Sequence, residues 1–217
     1  MHQVKVWDLP VRLFHWLLVA LMGFSWWSAE EGGVTLQYHM WSGYAILSLV
    51  LFRILWGFVG SDTARFTNFL AGPSRILATA RELFTRAPLP DAGHNALGGW
   101  MVLALLAGLL VQAGTGLFAN DDIMNEGPLY DKVSKAVSDR LSEAHEVNFA
   151  ILLTLVGLHV AAIAWHRWRK GEHLARAMFT GTKSLPAPVP PPRLGPVWLA
   201  AVLLAVSGGI VAAIVQF

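Results

Sequence analysis

Five stretches of mostly apolar residues dominate this chain, each about 20 residues long and so able to cross a hydrocarbon core of roughly 30 Å as a helix. They cover residues 9–28, 39–59, 98–118, 147–165 and 196–216. Backbone N–H and C=O groups find no water in lipid and must be satisfied within the span, and no stretch shows the period of two of a barrel strand. A helical bundle follows. Composition agrees, since 55% of the 217 residues are apolar and only 14% charged, against about 25% charged in soluble domains. With no cysteine, disulfides, thiolate metal sites, iron–sulfur clusters and covalent haem attachment are excluded. Asp8 is expected to cap the first helix, with Pro10 in its opening turn, where a missing N–H costs nothing.

Lys and Arg in short loops mark the cytoplasmic side. If the helices alternate, Lys5, Arg12, Arg65, Arg75, Arg81, Arg86, Arg167, Arg169, Lys170, Arg176, Lys183 and Arg193 share one side, twelve of the sixteen basic residues. Arg53 can snorkel to the same side. Only Lys132, Lys135 and Arg140 lie opposite, in a loop rich in Asp and Glu. The N-terminus is expected inside and the C-terminus outside. Lys5 and Arg12 before an apolar run also imitate a secretory leader, but His15 and the aromatics Phe14, Trp16, Trp26 and Trp27 are odd content for one. The inner loop, 60–97, holds a weakly amphipathic stretch at 73–84, and the outer loop, 119–146, is expected to hold a short helix near 129–141. Pro186, Pro188, Pro190, Pro191 and Pro192 read as a semi-rigid linker that sets the fifth helix apart. The expected units are residues 1–182, a linker at 183–195, and an additional helix at 196–217.

Ionisable side chains at membrane depth usually mark function. His15 lies on the first span, His39 opens the second, and His145 and His159 lie near the two ends of the fourth; any one alone could equally hydrogen-bond across helices. Their spacing says more. His145 and His159 are fourteen residues apart, so they share a helix face about 21 Å apart along the axis. His15 and His159 each lie about 9 Å from the inner end of their helices, and His39 and His145 both lie at the outer side. Two level pairs on facing helices suit bis-histidine ligation of two stacked haems, a six-coordinate arrangement that favours electron transfer.

The surroundings admit two readings. Gly43, one turn after His39, and Gly157, Gly98, Gly99, Gly108, Gly114 and Gly116 supply flat surface for a macrocycle, or serve close helix packing equally well. Arg12 and Arg53 are candidates to pair with haem propionates, with interfacial anchoring as the alternative. His94, in the turn before the third span, is a candidate proton donor or acceptor for a quinone, or simply an exposed loop histidine. His166 and His173 are expected among lipid headgroups, and His2 in a mobile terminus.

The segments Val6-Trp7-Asp8-Leu9-Pro10-Val11-Arg12-Leu13-Phe14-His15-Trp16, His39-x-x-x-Gly43-Tyr44, Leu51-Phe52-Arg53-Ile54-Leu55-Trp56-Gly57-Phe58-Val59-Gly60, Gly93-His94-Asn95-Ala96-Leu97-Gly98-Gly99, and His145 with Leu158-His159-Val160 resemble the bacterial cytochrome b561 family, in particular the type related to the cytochrome b subunit of nickel–iron hydrogenases. The resemblance covers roughly residues 4–182. It implies an all-α integral membrane protein, a four-helix bundle holding two haem b groups, here followed by a fifth helix. It also implies residence in the bacterial inner membrane and electron exchange between ubiquinone or menaquinone and a periplasmic protein such as a c-type cytochrome or hydrogenase. His15, His39, His145 and His159 fall where the family's ligands are expected. A superoxide:quinone oxidoreductase or ferric reductase on the same haem pair, or a haem-free anchor or transporter subunit, are the alternatives. No nucleic-acid partner is expected, and Gly208 and Gly209 suggest helix packing, including in a homodimer.

Overall fold

The computed structural model of the chain describes residues 2–85, 93–185 and 188–216; Arg86 and Pro186, used above, lie outside them. In order, the elements are β1 (His2–Lys5), α1 (Leu9–Glu31), α2 (Leu36–Val59), α3 (Phe66–Phe69), α4 (Pro73–Glu82), α5 (Ala96–Gly116), α6 (Lys135–Lys170), α7 (Leu174–Thr180), β2 (Thr182–Leu185) and α8 (Val197–Val215). Five helices, α1, α2, α5, α6 and α8, are long and apolar enough to cross a membrane. The protein is an all-α membrane bundle.

Asp8 starts the bundle as the sequence predicts. Its Oδ1 accepts the Val11 amide at 2.6 Å, while Oδ2 accepts the indole N–H of the fully buried Trp56 at 3.0 Å. One carboxylate thus caps α1 and ties it to the far end of α2. Around it the basic end of the molecule is closed by pairings distant in sequence. Strands β1 and β2 run antiparallel, with His2 opposite Leu185 and Lys5 opposite Thr182. The Val6 and Trp7 amides donate to the Gly181 carbonyl at 2.8 and 3.1 Å. Gly181 has φ +82°, and a Cβ there would lie 2.9 Å from the Trp7 oxygen, so only glycine serves. His2 is therefore a strand residue rather than part of a loose terminus.

Helix α6 departs most from expectation. Its 36 residues extend about 54 Å, well beyond the hydrocarbon core. The separate helix expected near 129–141 resolves into a 3-10 turn at Tyr130–Lys132 and the first turns of α6. Hydropathy marks only what lipid covers, whereas the polar turns before His145 contain no helix breaker and gain a Lys135–Asp139 ion pair at 2.9 Å.

Helix α2 is the hub, packing on α1, α5 and α8, while α6 packs on α5 and forms no comparable seam with α1 or α2. The proline-rich segment separates α8 in sequence but not in space. The Arg193 amide donates to Asp62 Oδ2 at 2.9 Å and the Gly195 amide to Ser61 Oγ at 2.8 Å. Gly195 lies so close to Trp56 that a Cβ would sit 2.8 Å from the ring. The chain is thereby turned back so that α8 lies along α2.

Candidate functional site

Towards the acidic end, His39 on α2 and His145 on α6 face each other across the space between helices that form no extensive seam. Their ring centroids are 6.0 Å apart and their planes are inclined at 80°. His39 Nδ1 lies 2.9 Å from the Ser25 carbonyl on α1, and His145 Nδ1 lies 2.9 Å from the Gln112 carbonyl on α5. A carbonyl oxygen only accepts, so Nδ1 carries the hydrogen in both rings and Nε2 keeps its lone pair. Metal-ligating imidazoles are typically held this way, with the other ring nitrogen donating to a backbone carbonyl. Two imidazoles on one metal, each nitrogen about 2 Å away, have centroids about 6 Å apart.

All four core helices shape this pair. Ser25 Oγ also approaches His39 Nδ1, at 3.1 Å, and Thr115 Oγ1 lies 3.3 Å from His145 Nδ1. Asn148 donates to Gln112 Oε1 at 2.6 Å and to the Gly108 carbonyl at 2.9 Å, closing the α5–α6 seam. Gly116 admits the imidazole, for a Cβ there would be 2.9 Å from His145 Cε1. Space lies open beside Gly43, Gly114 and Gly157, where an added Cβ would meet no atom within 4 Å. Ser25, Gln112, Thr115 and Asn148 were missed from the sequence. Their signal was polar side chains inside apolar spans.

Towards the basic end, His15 on α1 and His159 on α6 lie within electrostatic reach of one another. His15 Nδ1, Arg53 Nη1 and His94 Nδ1 are buried without a hydrogen-bond partner. Leaving such an atom unpaired costs about 1–3 kcal/mol; Thr79 Oγ1 and Glu82 Oε2 on α4 share that state, so the basic end holds several polar atoms able to receive a ligand. Arg53, 2% exposed, stacks its guanidinium over Phe66 at 5.4 Å from the centroid, within electrostatic reach of Asp8. His94 is held between Trp7 and Phe69, at 4.6 and 4.8 Å between ring centroids. Burial, then the charge of Arg53, pushes its pKa down to about 3, so the ring is neutral at physiological pH.

Arg12 is placed differently. Its Nε donates to the Met178 carbonyl at 3.4 Å and its guanidinium also reaches the Phe179 carbonyl, a cation at the carboxyl end of α7. Trp16 stacks on Phe179 at 4.1 Å and donates to the same Met178 oxygen. Of the two arginines, it is Arg53 that keeps a buried nitrogen without a partner. His166 does not lie among headgroups as expected: it is 4% exposed and its Nδ1 is 2.7 Å from Glu172 Oε2. The α6–α7 turn folds Glu172 back onto it, a contact invisible to hydropathy. His173 is exposed.

The donor set suits haem. Facing imidazoles with Nδ1 held by carbonyls fit a metal that brings its other donors, as porphyrin iron does. Gly43 and Gly157 provide room beside them, and Arg53 offers a counter-charge for a carboxylate.

Sequence comparison points the same way. The sequence profile describing prokaryotic cytochrome b561 matches residues 6–181, which include all four histidines and all of α1 to α7. No curated protein and no solved structure matches the chain. With a match over most of its length, a membrane-spanning helical bundle and a donor set suited to haem b, the chain belongs to the prokaryotic cytochrome b561 family and serves electron transport in a membrane.

Proposed function

We propose that this protein carries electrons through two haem b groups between the membrane quinone pool and a redox protein on the periplasmic side. His39 and His145 hold the outer haem, and His15 and His159 the inner one. The observation that carries the reading is the His39–His145 pair, 6.0 Å apart with both Nδ1 atoms engaged by backbone carbonyls. Bound there, haem b supplies a one-electron couple whose potential the protein tunes by ligation, burial and charge.

The chain's own residues supply the rest. The Ser25 and Gln112 carbonyls fix each ring's tautomer and direction, so that Nε2 is presented to the iron. Arg53, buried with an unpaired Nη1, binds an inner propionate. Neutral His94 can donate or accept a hydrogen at a quinone headgroup. Gly43 and Gly157 keep α2 and α6 open for the macrocycle. Residues 1–182 form the haem-binding unit, 183–195 its linker and 196–217 an added helix. The basic end faces the cytoplasm of a bacterial inner membrane, and the acidic end faces a c-type cytochrome or hydrogenase.

Pyridine haemochrome quantification tests this directly. The purified protein should contain two haems b per chain, and His145→Ala and His159→Ala should each contain one, with different residual spectra. A colourless protein, or two haems retained in both variants, would overturn the assignment.

A further inference from the structure

A buried ion pair at the foot of α6 has no part in that electron path. His166 follows His159 by seven residues, which returns it to the same helix face about 10 Å nearer the basic end. His166 Nδ1 is 2.7 Å from Glu172 Oε2, and Lys183 Nζ on β2 is 3.6 Å from Glu172 Oε1. Both members of the pair are buried, at 4% and 8% exposure. Beside Lys183, Glu172 is a carboxylate and accepts, so His166 Nδ1 carries a hydrogen and Nε2 is the ring nitrogen left for proton exchange. The His166 carbonyl accepts the Gly171 and Glu172 amides in the last turn of α6, where the helix dipole favours a cation. Lys170 donates to the Glu82 and Thr85 carbonyls at the end of α4, and Lys5 on β1 is exposed.

We propose that His166, held by Glu172, takes up a proton from the cytoplasmic side when an electron arrives at the His15–His159 end of the bundle. The inference rests on the inner haem assignment above. One electron enters by the electron transport already assigned to the protein, one proton binds His166 Nε2, and the imidazolium is paired with Glu172; no other bond changes. An electron about 10 Å away, at an effective dielectric near 20, raises the proton affinity of His166 about tenfold. Charge added inside the membrane is thus compensated from the basic end.

Redox titration of the full-length protein in detergent, across the pH range in which histidines titrate, tests the coupling. The haem lost in His159→Ala should show a midpoint potential that falls as pH rises, while the other haem stays flat. His166→Gln should abolish the slope. Glu172→Gln should move it to lower pH by a tenfold or larger drop in proton affinity. A flat wild-type potential, or an unchanged slope in His166→Gln, overturns the proposal. Should His166→Gln lose haem, Glu172→Gln decides: an unmoved pH window overturns it. Haem content separates the two failures, since fewer than two haems per chain sinks the inner haem assignment and this inference with it, whereas two haems without the slope sink this inference alone.

Discussion

His39 and His145 differ from His15 in what holds Nδ1: backbone carbonyls of neighbouring helices for the first two, nothing for the third. The acidic-end pair is oriented by the fold itself, and Gly116 is what admits it. Replacing Gly116 with Val drives a branched side chain into the His145 ring, which a Cβ alone would approach to 2.9 Å. Haem content should fall from two towards one, with the basic-end spectrum retained; an unchanged count would show that the ring has room to move. His94 gives a pH signature. Its pKa is lowered by burial from the ordinary 6.5 to about 3, so between those values the unfolded chain binds the proton and the folded chain does not. The stability His94 contributes is present above pH 6.5 and is lost progressively as pH falls towards 3. The unfolding midpoint in detergent should therefore drop less steeply on acidification in His94→Gln than in the parent. Parallel curves would refute the assignment.

At the scale of elements, Asp8 shows how one side chain sets a helix and its neighbour together. Asp8→Ala removes the α1 cap and leaves the Trp56 indole N–H buried without its acceptor. A lost cap costs about 1 kcal/mol and an orphaned buried donor about 1–3 kcal/mol, for a loss of about 2–4 kcal/mol. Thermal unfolding should show it, with Asp8→Asn recovering part, because the amide oxygen still accepts. A change within a few tenths would mean that the carboxylate is not shared between α1 and α2. Helix α7 is the counterpart at the other edge of the same end. Arg12 and Trp16 bind its last carbonyls and Phe179 stacks on Trp16, so a helix too short to persist alone is held by tertiary contacts.

Taken whole, the molecule places α2 centrally and packs α6 chiefly on α5, with further ties from its last turns to α7 and to the end of α4. His39 and His145 face each other between α2 and α6, and His15 on α1 and His159 on α6 lie within electrostatic reach. The added helix stands on the other side, against α2, burying Ala200, Ser207 and Val211. Ending the chain at Leu185 should therefore lower the melting temperature while retaining both haems, since none of the four histidines lies on α8. Loss of haem in that truncation would make α8 part of the haem-binding unit.

Hydropathy, helical periodicity and the distribution of charge are local or additive properties, and what they govern was legible in the chain: five spans, four of them with ends within a few residues and the fourth without the polar turns that begin α6, the cap at Asp8, the amphipathic α4, and the shared face of His145 and His159. The family was legible too, because its motifs are short runs around those same residues. What depends on surfaces far apart in sequence was decided by the tertiary structure. Ser25 and Gln112 stand out as polar residues inside apolar spans, but they meet the histidines chiefly through backbone carbonyls, which any residue possesses, so residue type does not announce that contact. The β1–β2 pairing joins residues about 180 positions apart, and the return of α8 onto α2 hangs on Ser61, Asp62 and Trp56 meeting residues after the prolines. The burial of His166 depends on a turn that brings Glu172 back against it. Polar residues carry no mark of which partner will reach them, and only the packed helices settle that.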